Sequence, residues 1–174
     1  MEEAKKVRDA QLAILSRLAE CETKAGALYK AYASAFPAMA AFWNRIAEEE
    51  EGHARMLLGL RKQVDTGHLF FGVGRFTGAE VERLEAIIAN GLEAASEGKC
   101  SMQQAITTAL SIESSMIDGH SYDVVTSDAP EFKTIADSIS KATARHREMI
   151  RDRMMDALIA VSYTHLTLPT IYSV

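Results

Sequence analysis

Two prolines, Pro37 and Pro130, each sit near the middle of one copy of a repeated pattern, and that repeat limits the folds open to this chain more than any other feature. Glu22 stands fifteen residues before Pro37 and His53 sixteen after it; Glu113 stands seventeen before Pro130 and His146 sixteen after. A proline suits the first turn of a helix and breaks the one before it, so each copy reads as two long helices joined at a proline. Two such hairpins bury their apolar faces by packing together as a four-helix bundle. Each hairpin then delivers a carboxylate from its first helix and an imidazole from its second into a shared interior.

The apolar spacing supports that reading. Leu15, Leu18, Glu22, Ala25, Tyr29, Tyr32 and Phe36 recur at three and four residues, which predicts one inward stripe on a helix over about residues 5 to 35. Met39, Trp43, Ile46, Glu50, His53, Leu57, Leu60 and Val64 continue the rhythm on a second helix, with Glu50 and His53 facing inward together. The stretch DTGHLFFGVGRF, from about 65 to 76, is rich in glycine and aromatic residues without helical period and reads as a loop, a lid or packing segment over the bundle end. Thr77 to Glu80 predicts a capping box opening a short helix that runs to about residue 97, and Ser101 to Gln104 predicts another. Ile106, Leu110, Glu113, Ile117, His120 and Val124 mark a third long helix; after the turn at Asp128 to Pro130, Phe132, Ile135, Ile139, His146 and Ile150 mark a fourth. Short hairpins flanking one long connection give the predicted fold class: all-α, a ferritin-like four-helix bundle with one long crossover containing a short extra helix.

A chain of 174 residues, 48% apolar and 25% charged, is sized for one soluble domain with a substantial core, placed over residues 1–160. A net charge of -5, with Lys and Arg scattered among acidic residues, argues against a nucleic-acid partner. No apolar run is long enough to span a bilayer, and Met1-Glu-Glu-Ala-Lys-Lys is followed by no hydrophobic signal region, so the expected location is cytoplasmic, without membrane contact. Cys21 and Cys100 form no CxxC pair; neither a zinc knuckle nor a rubredoxin-type iron centre can be assembled from them, and free thiols are expected. Residues 161–174, VSYTHLTLPTIYSV, lack Lys, Arg, Asp and Glu in an otherwise charge-rich chain. VSYTHLTLPT looks like a translated transposase sequencing adaptor, so this segment is expected to lie outside the fold, and His165 with it.

A carboxylate in a core stripe costs several kcal/mol, on the order of a buried uncompensated ion, unless it is paired, protonated or bound to metal. Three carboxylates and two histidines at matched depth, Glu22, Glu50, His53, Glu113 and His146, therefore form the candidate metal ligands. Glu50 and His53 are three residues apart and share a helical face. An ExxH spacing alone is weak, more so inside the acidic run Glu48 to Glu51; its position in the stripe carries the argument. The competing reading of these residues is a solvated or salt-bridged polar layer in a structural bundle. His120 and the methionines, including Met149, Met154 and Met155, read as core residues. Tyr29 and Tyr32 have two open roles, core packing or hydrogen bonding to the site's carboxylates.

AECETKAGALYKAYASAFP, FWNRIAEEEEGHARML, SIESSMIDGHSYD and SISKATARHREMI together resemble the rubrerythrin branch of the ferritin-like superfamily over about residues 8 to 158. The resemblance implies a di-iron centre held by Glu22, Glu50, His53, Glu113 and His146, with manganese or zinc as other possible ions. It also implies an oxidoreductase that passes two electrons to hydrogen peroxide or dioxygen and takes them back from an external donor protein. A homodimer is a further implication of the resemblance. Two positions depart from the family pattern. Thr143 stands where a sixth ligand is expected, leaving three carboxylates against two divalent ions, and Met116 stands where a further Glu is common. The alternative is a non-catalytic metal-binding or structural helical bundle with a degenerate second half-site.

Overall fold

The computed structural model describes the backbone of residues 2–71, 78–118 and 130–166, and side chains over 2–71, 79–116 and 130–155. Among these residues it is all-helical: α1 (Glu2–Ala35), a 3-10 turn (Pro37–Met39), α2 (Ala40–Asp65), α3 (Gly78–Ser96), α4 (Met102–Asp118) and α5 (Pro130–Leu166). None of the described helices is long and apolar enough to cross a membrane.

The breaks have local causes. Phe36 leaves the helical region at φ -127° and ψ 76°, and Pro37 opens the tight turn, closed by the Met39 amide donating to the Phe36 carbonyl at 2.9 Å. Ser101 and Gln104 form the expected reciprocal box before α4: the Ser101 amide donates to Gln104 Oε1 at 2.8 Å, and the Gln104 amide to Ser101 Oγ at 3.2 Å. Gly98, at φ 65°, turns the chain out of α3 in the left-handed conformation that glycine adopts without steric cost. Thr77, His120, Val124 and Asp128, expected from sequence in a cap, a helix and a turn, lie outside the described residues.

Helix α1 packs along α2 and α4 along α5, while α2 also meets α5 and joins the hairpins. The crossover helix α3 packs against both α1 and α4. Gly91 permits that close fit, because a Cβ there would stand 2.9 Å from Leu28 Cδ2 and 3.2 Å from both Thr108 Cγ2 and Tyr32 Oη.

Two apolar clusters fill the interior. One gathers Tyr29, Tyr32, Trp43, Ile46, Ile106, Ile112 and Ile150 around an aromatic group in which Trp43 lies 5.7 Å from Tyr29 and 5.2 Å from Tyr32 between ring centroids. The other gathers Leu15, Leu18, Leu57, Leu60, Phe71, Phe132 and Ile139. The loop after α2 contributes to the second: Leu69 and Phe71 are buried, with the Phe71 ring 5.1 Å from Phe132, and Phe70 faces outward. Along α1, α2 and α5, the buried polar residues Glu22, Glu50, His53, Thr143 and His146 fall between the two clusters. Met155, expected in the core, is exposed instead. The helical backbone of α5 continues to Leu166, so residues 161–166 of the segment expected to lie outside the fold extend this last helix.

Candidate metal centre

All five residues singled out by spacing are buried and come together. Glu22, Glu50, Glu113 and His146 are fully buried and His53 is 4% exposed. Their polar atoms form two groups, Glu22 with Glu50 and His53, and Glu50 with Glu113 and His146, in each of which one ligand atom per residue lies within 4.8 Å of the others. Glu50 belongs to both. Its Oε2 is 2.8 Å from His53 Nδ1 and its Oε1 is 3.0 Å from His146 Nδ1. His53 Nδ1 also lies 3.6 Å from Glu22 Oε2, and His146 Nδ1 lies 3.8 Å from Glu113 Oε2. The imidazole rings face one another, 28° from parallel with centroids 5.9 Å apart.

The helices impose this arrangement. On α2 the three-residue step from Glu50 to His53 stacks both side chains on one face, while α1, α4 and α5 each bring one donor at the same depth. Tyr29, seven residues after Glu22 and so two turns along the stripe, donates from Oη to Glu113 Oε1 at 2.7 Å. Of the two roles open to Tyr29, hydrogen bonding to a site carboxylate is thus realised, and the ring is a buried core member as well.

The electrostatics of the layer are those of anions short of compensation. Burial and repulsion from Glu22 push the Glu50 carboxyl well above the usual carboxylate range, against the opposing pull of His53. Burial and repulsion from Glu50 push Glu113 up in the same way, opposed by His146 and the Tyr29 hydroxyl. Burial works to lower His53, yet hydrogen bonding to Glu22 and Glu50 outweighs it and raises the imidazole to about 10. Tyr29, wholly buried beside Glu113, is held protonated far above the phenol's ordinary value. Glu113 Oε2 is a buried oxygen without a hydrogen bond among the described residues. An orphaned carboxylate oxygen grouped with a second carboxylate and an imidazole nitrogen fits a cation, and the all-oxygen-and-imidazole donor set suits iron, manganese or zinc.

Thr143 lies in the same buried layer, but its hydroxyl donates to the Ile139 carbonyl at 3.0 Å, one turn back on α5. That position therefore supplies no carboxylate, and α5 contributes His146 alone. Met116 packs in the aromatic cluster. Glu49 is the residue that spacing does not single out. Its Oε2 is 3.1 Å from His146 Nε2, and it pairs with Arg145 and, through Oε1 at 3.4 Å, with Arg45. Partial burial works to raise its carboxyl, but hydrogen bonding and charge attraction from His146 and Arg145 bring it below the usual value. Its only signal in the sequence is a place beside Glu50 in the acidic run, and a solvated run of acids has the same pattern.

Comparison with protein-family models, with curated proteins and with solved structures finds no match to this chain.

Proposed function

We propose that this protein is a ferritin-like, rubrerythrin-type metal protein whose bundle holds two metal ions, iron by preference, and reduces hydrogen peroxide or dioxygen with electrons from an external donor. The observation that carries the reading is the sharing of Glu50 between two ligand groups, since one carboxylate with an imidazole facing each of its oxygens is the pattern of a bridged pair. Glu22 and His53 would complete one position, Glu113 and His146 the other. When bound, a pair of redox-active ions supplies two electrons at one place, which matches the two-electron reduction of a peroxide bond.

The chain's own residues do the rest. Tyr29 fixes the Glu113 carboxylate by hydrogen bonding to Oε1 and leaves Oε2 open. The two apolar clusters keep bulk water from the layer, which strengthens every charge interaction within it. Cys21 and Cys100 are free thiols, in keeping with a reducing, cytoplasmic setting. No CxxC pair among these 174 residues can hold a rubredoxin-type iron, so in this reading the electrons enter from outside the bundle.

A second reading follows from Thr143. With its hydroxyl bonded to the α5 backbone, the second half of the site is one carboxylate short, and a non-catalytic bundle that binds metal for stability would look the same. Anaerobic loading with ferrous iron followed by one equivalent of hydrogen peroxide separates the two. The enzyme reading expects both irons oxidised rapidly and restored by a reductant over repeated cycles; bound iron that peroxide leaves ferrous contradicts it.

A further inference from the structure

We infer that Glu49 is a positioning residue that orients His146 toward the second metal position. The inference rests on the metal-centre reading above. His146 is fully buried and directs Nδ1 at Glu50 and Glu113, leaving Nε2 facing Glu49 Oε2 at 3.1 Å. An imidazole with carboxylate oxygens at both nitrogens has its ring plane fixed from both sides. Histidines that bind metal through one nitrogen commonly donate the other N–H to a carboxylate, which sets the tautomer and raises the basicity of the ligating atom.

Glu49 is itself held in place. Arg145, the residue before His146 on α5, pairs with its Oε2, and Arg45, one turn earlier on α2, approaches its Oε1. The clamp spans α2 and α5, the same helices that Glu50 and His146 bridge inside the bundle. Its side chain is 26% exposed, so the carboxylate can stay ionised at the rim where a fully buried one is disfavoured.

The test uses the 174-residue chain and cobaltous ion as the probe. In a Glu22→Gln background, which removes the other ligand group, Glu49→Gln is expected to weaken cobalt binding at Glu50, Glu113 and His146 by about 10- to 100-fold. It is also expected to abolish the exchange-protected, cobalt-shifted N–H proton of the His146 ring while the metal-free protein keeps its melting temperature. Arg145→Met should weaken binding in the same direction by less, and serves as the deciding variant if Glu49→Gln does not fold. Unchanged cobalt affinity and an unchanged imidazole N–H signal in the folded variants overturn the role of Glu49, while the wild-type chain still binding two cobalt ions leaves the metal-centre reading standing. Failure of the wild-type chain to bind cobalt overturns both.

Discussion

Glu50 Oε1 meets His146 Nδ1 at 3.0 Å, and this contact joins the two hairpins inside the bundle. Glu50 comes from the second helix of the first hairpin and His146 from the second helix of the other, so a carboxylate of one half completes the ligand group of the other half. The two candidate ligand groups are therefore not independent sets stacked side by side.

Unequal losses follow from the shared carboxylate. Glu50→Gln is expected to abolish binding of both ions, whereas Glu22→Gln removes one and leaves the other. Equilibrium dialysis with ferrous or cobaltous ion measures this directly. Retention of one ion at wild-type affinity in Glu50→Gln contradicts the shared role.

Tyr29→Phe removes one hydroxyl and keeps the ring, so it isolates the bond to Glu113. In the metal-free protein the variant should lose about 1–3 kcal/mol of unfolding free energy, the usual cost of leaving a buried acceptor without its donor. Denaturant unfolding reads the change, and a difference below about 0.5 kcal/mol, the range of an ordinary surface substitution, shows that the bond contributes nothing.

Much of the site is legible in the sequence because helical period and proline position are strong local signals. Pro37, Pro130 and the Ser101 to Gln104 box mark three helix starts, and the stripe through Leu18, Glu22 and Ala25 places a carboxylate among core residues. Glu49 is not legible in this way. A carboxylate one residue from a ligand points away from that ligand's face, and its partner His146 lies on another helix, so only the packing of α2 against α5 shows the pairing. Nor can spacing show that the Thr143 hydroxyl turns back to Ile139. The exposure of Met155 near the end of α5 escapes the sequence for a related reason: its period does not say how far the neighbouring helices extend alongside.

Stability and metal affinity should respond to pH in opposite directions. In the metal-free protein His53 is raised from 6.5 to about 10, and Glu50 and Glu113 are raised above 4.5, so the folded state holds more protons than the unfolded state. The His53 contribution is fully present below pH 6.5 and is lost as pH rises through about 10. The carboxyl contributions have the same sign and begin to fall above pH 4.5. The metal-free melting temperature should thus decline as pH rises across this window. Metal binding displaces those protons, so affinity should increase over the same range. A metal-free melting temperature that climbs between pH 6.5 and 10 contradicts the assignment of the buried protons.

Thr143→Glu would place a fourth carboxylate in the buried layer that holds Glu50. In the metal-free protein it should destabilise the fold by several kcal/mol, on the order of burying another acid beside Glu50 and Glu113. With iron present it should bind the second ion more tightly than the native chain does. Iron stoichiometry by elemental analysis and melting curves with and without ferrous ion check both halves of the expectation; flat iron content in a folded variant shows that charge is not what limits the second position.

The most direct measurement of the central claim is an anaerobic titration of the metal-free 174-residue chain with ferrous iron, followed by the Glu50→Gln variant under identical conditions. Two irons per native chain, and none in the variant, are expected from a pair of ligand groups that share one carboxylate. A native chain that takes up no iron and shows no change in melting temperature on its addition would mean that the buried acids and imidazoles satisfy one another as a structural polar layer, and that no metal centre exists.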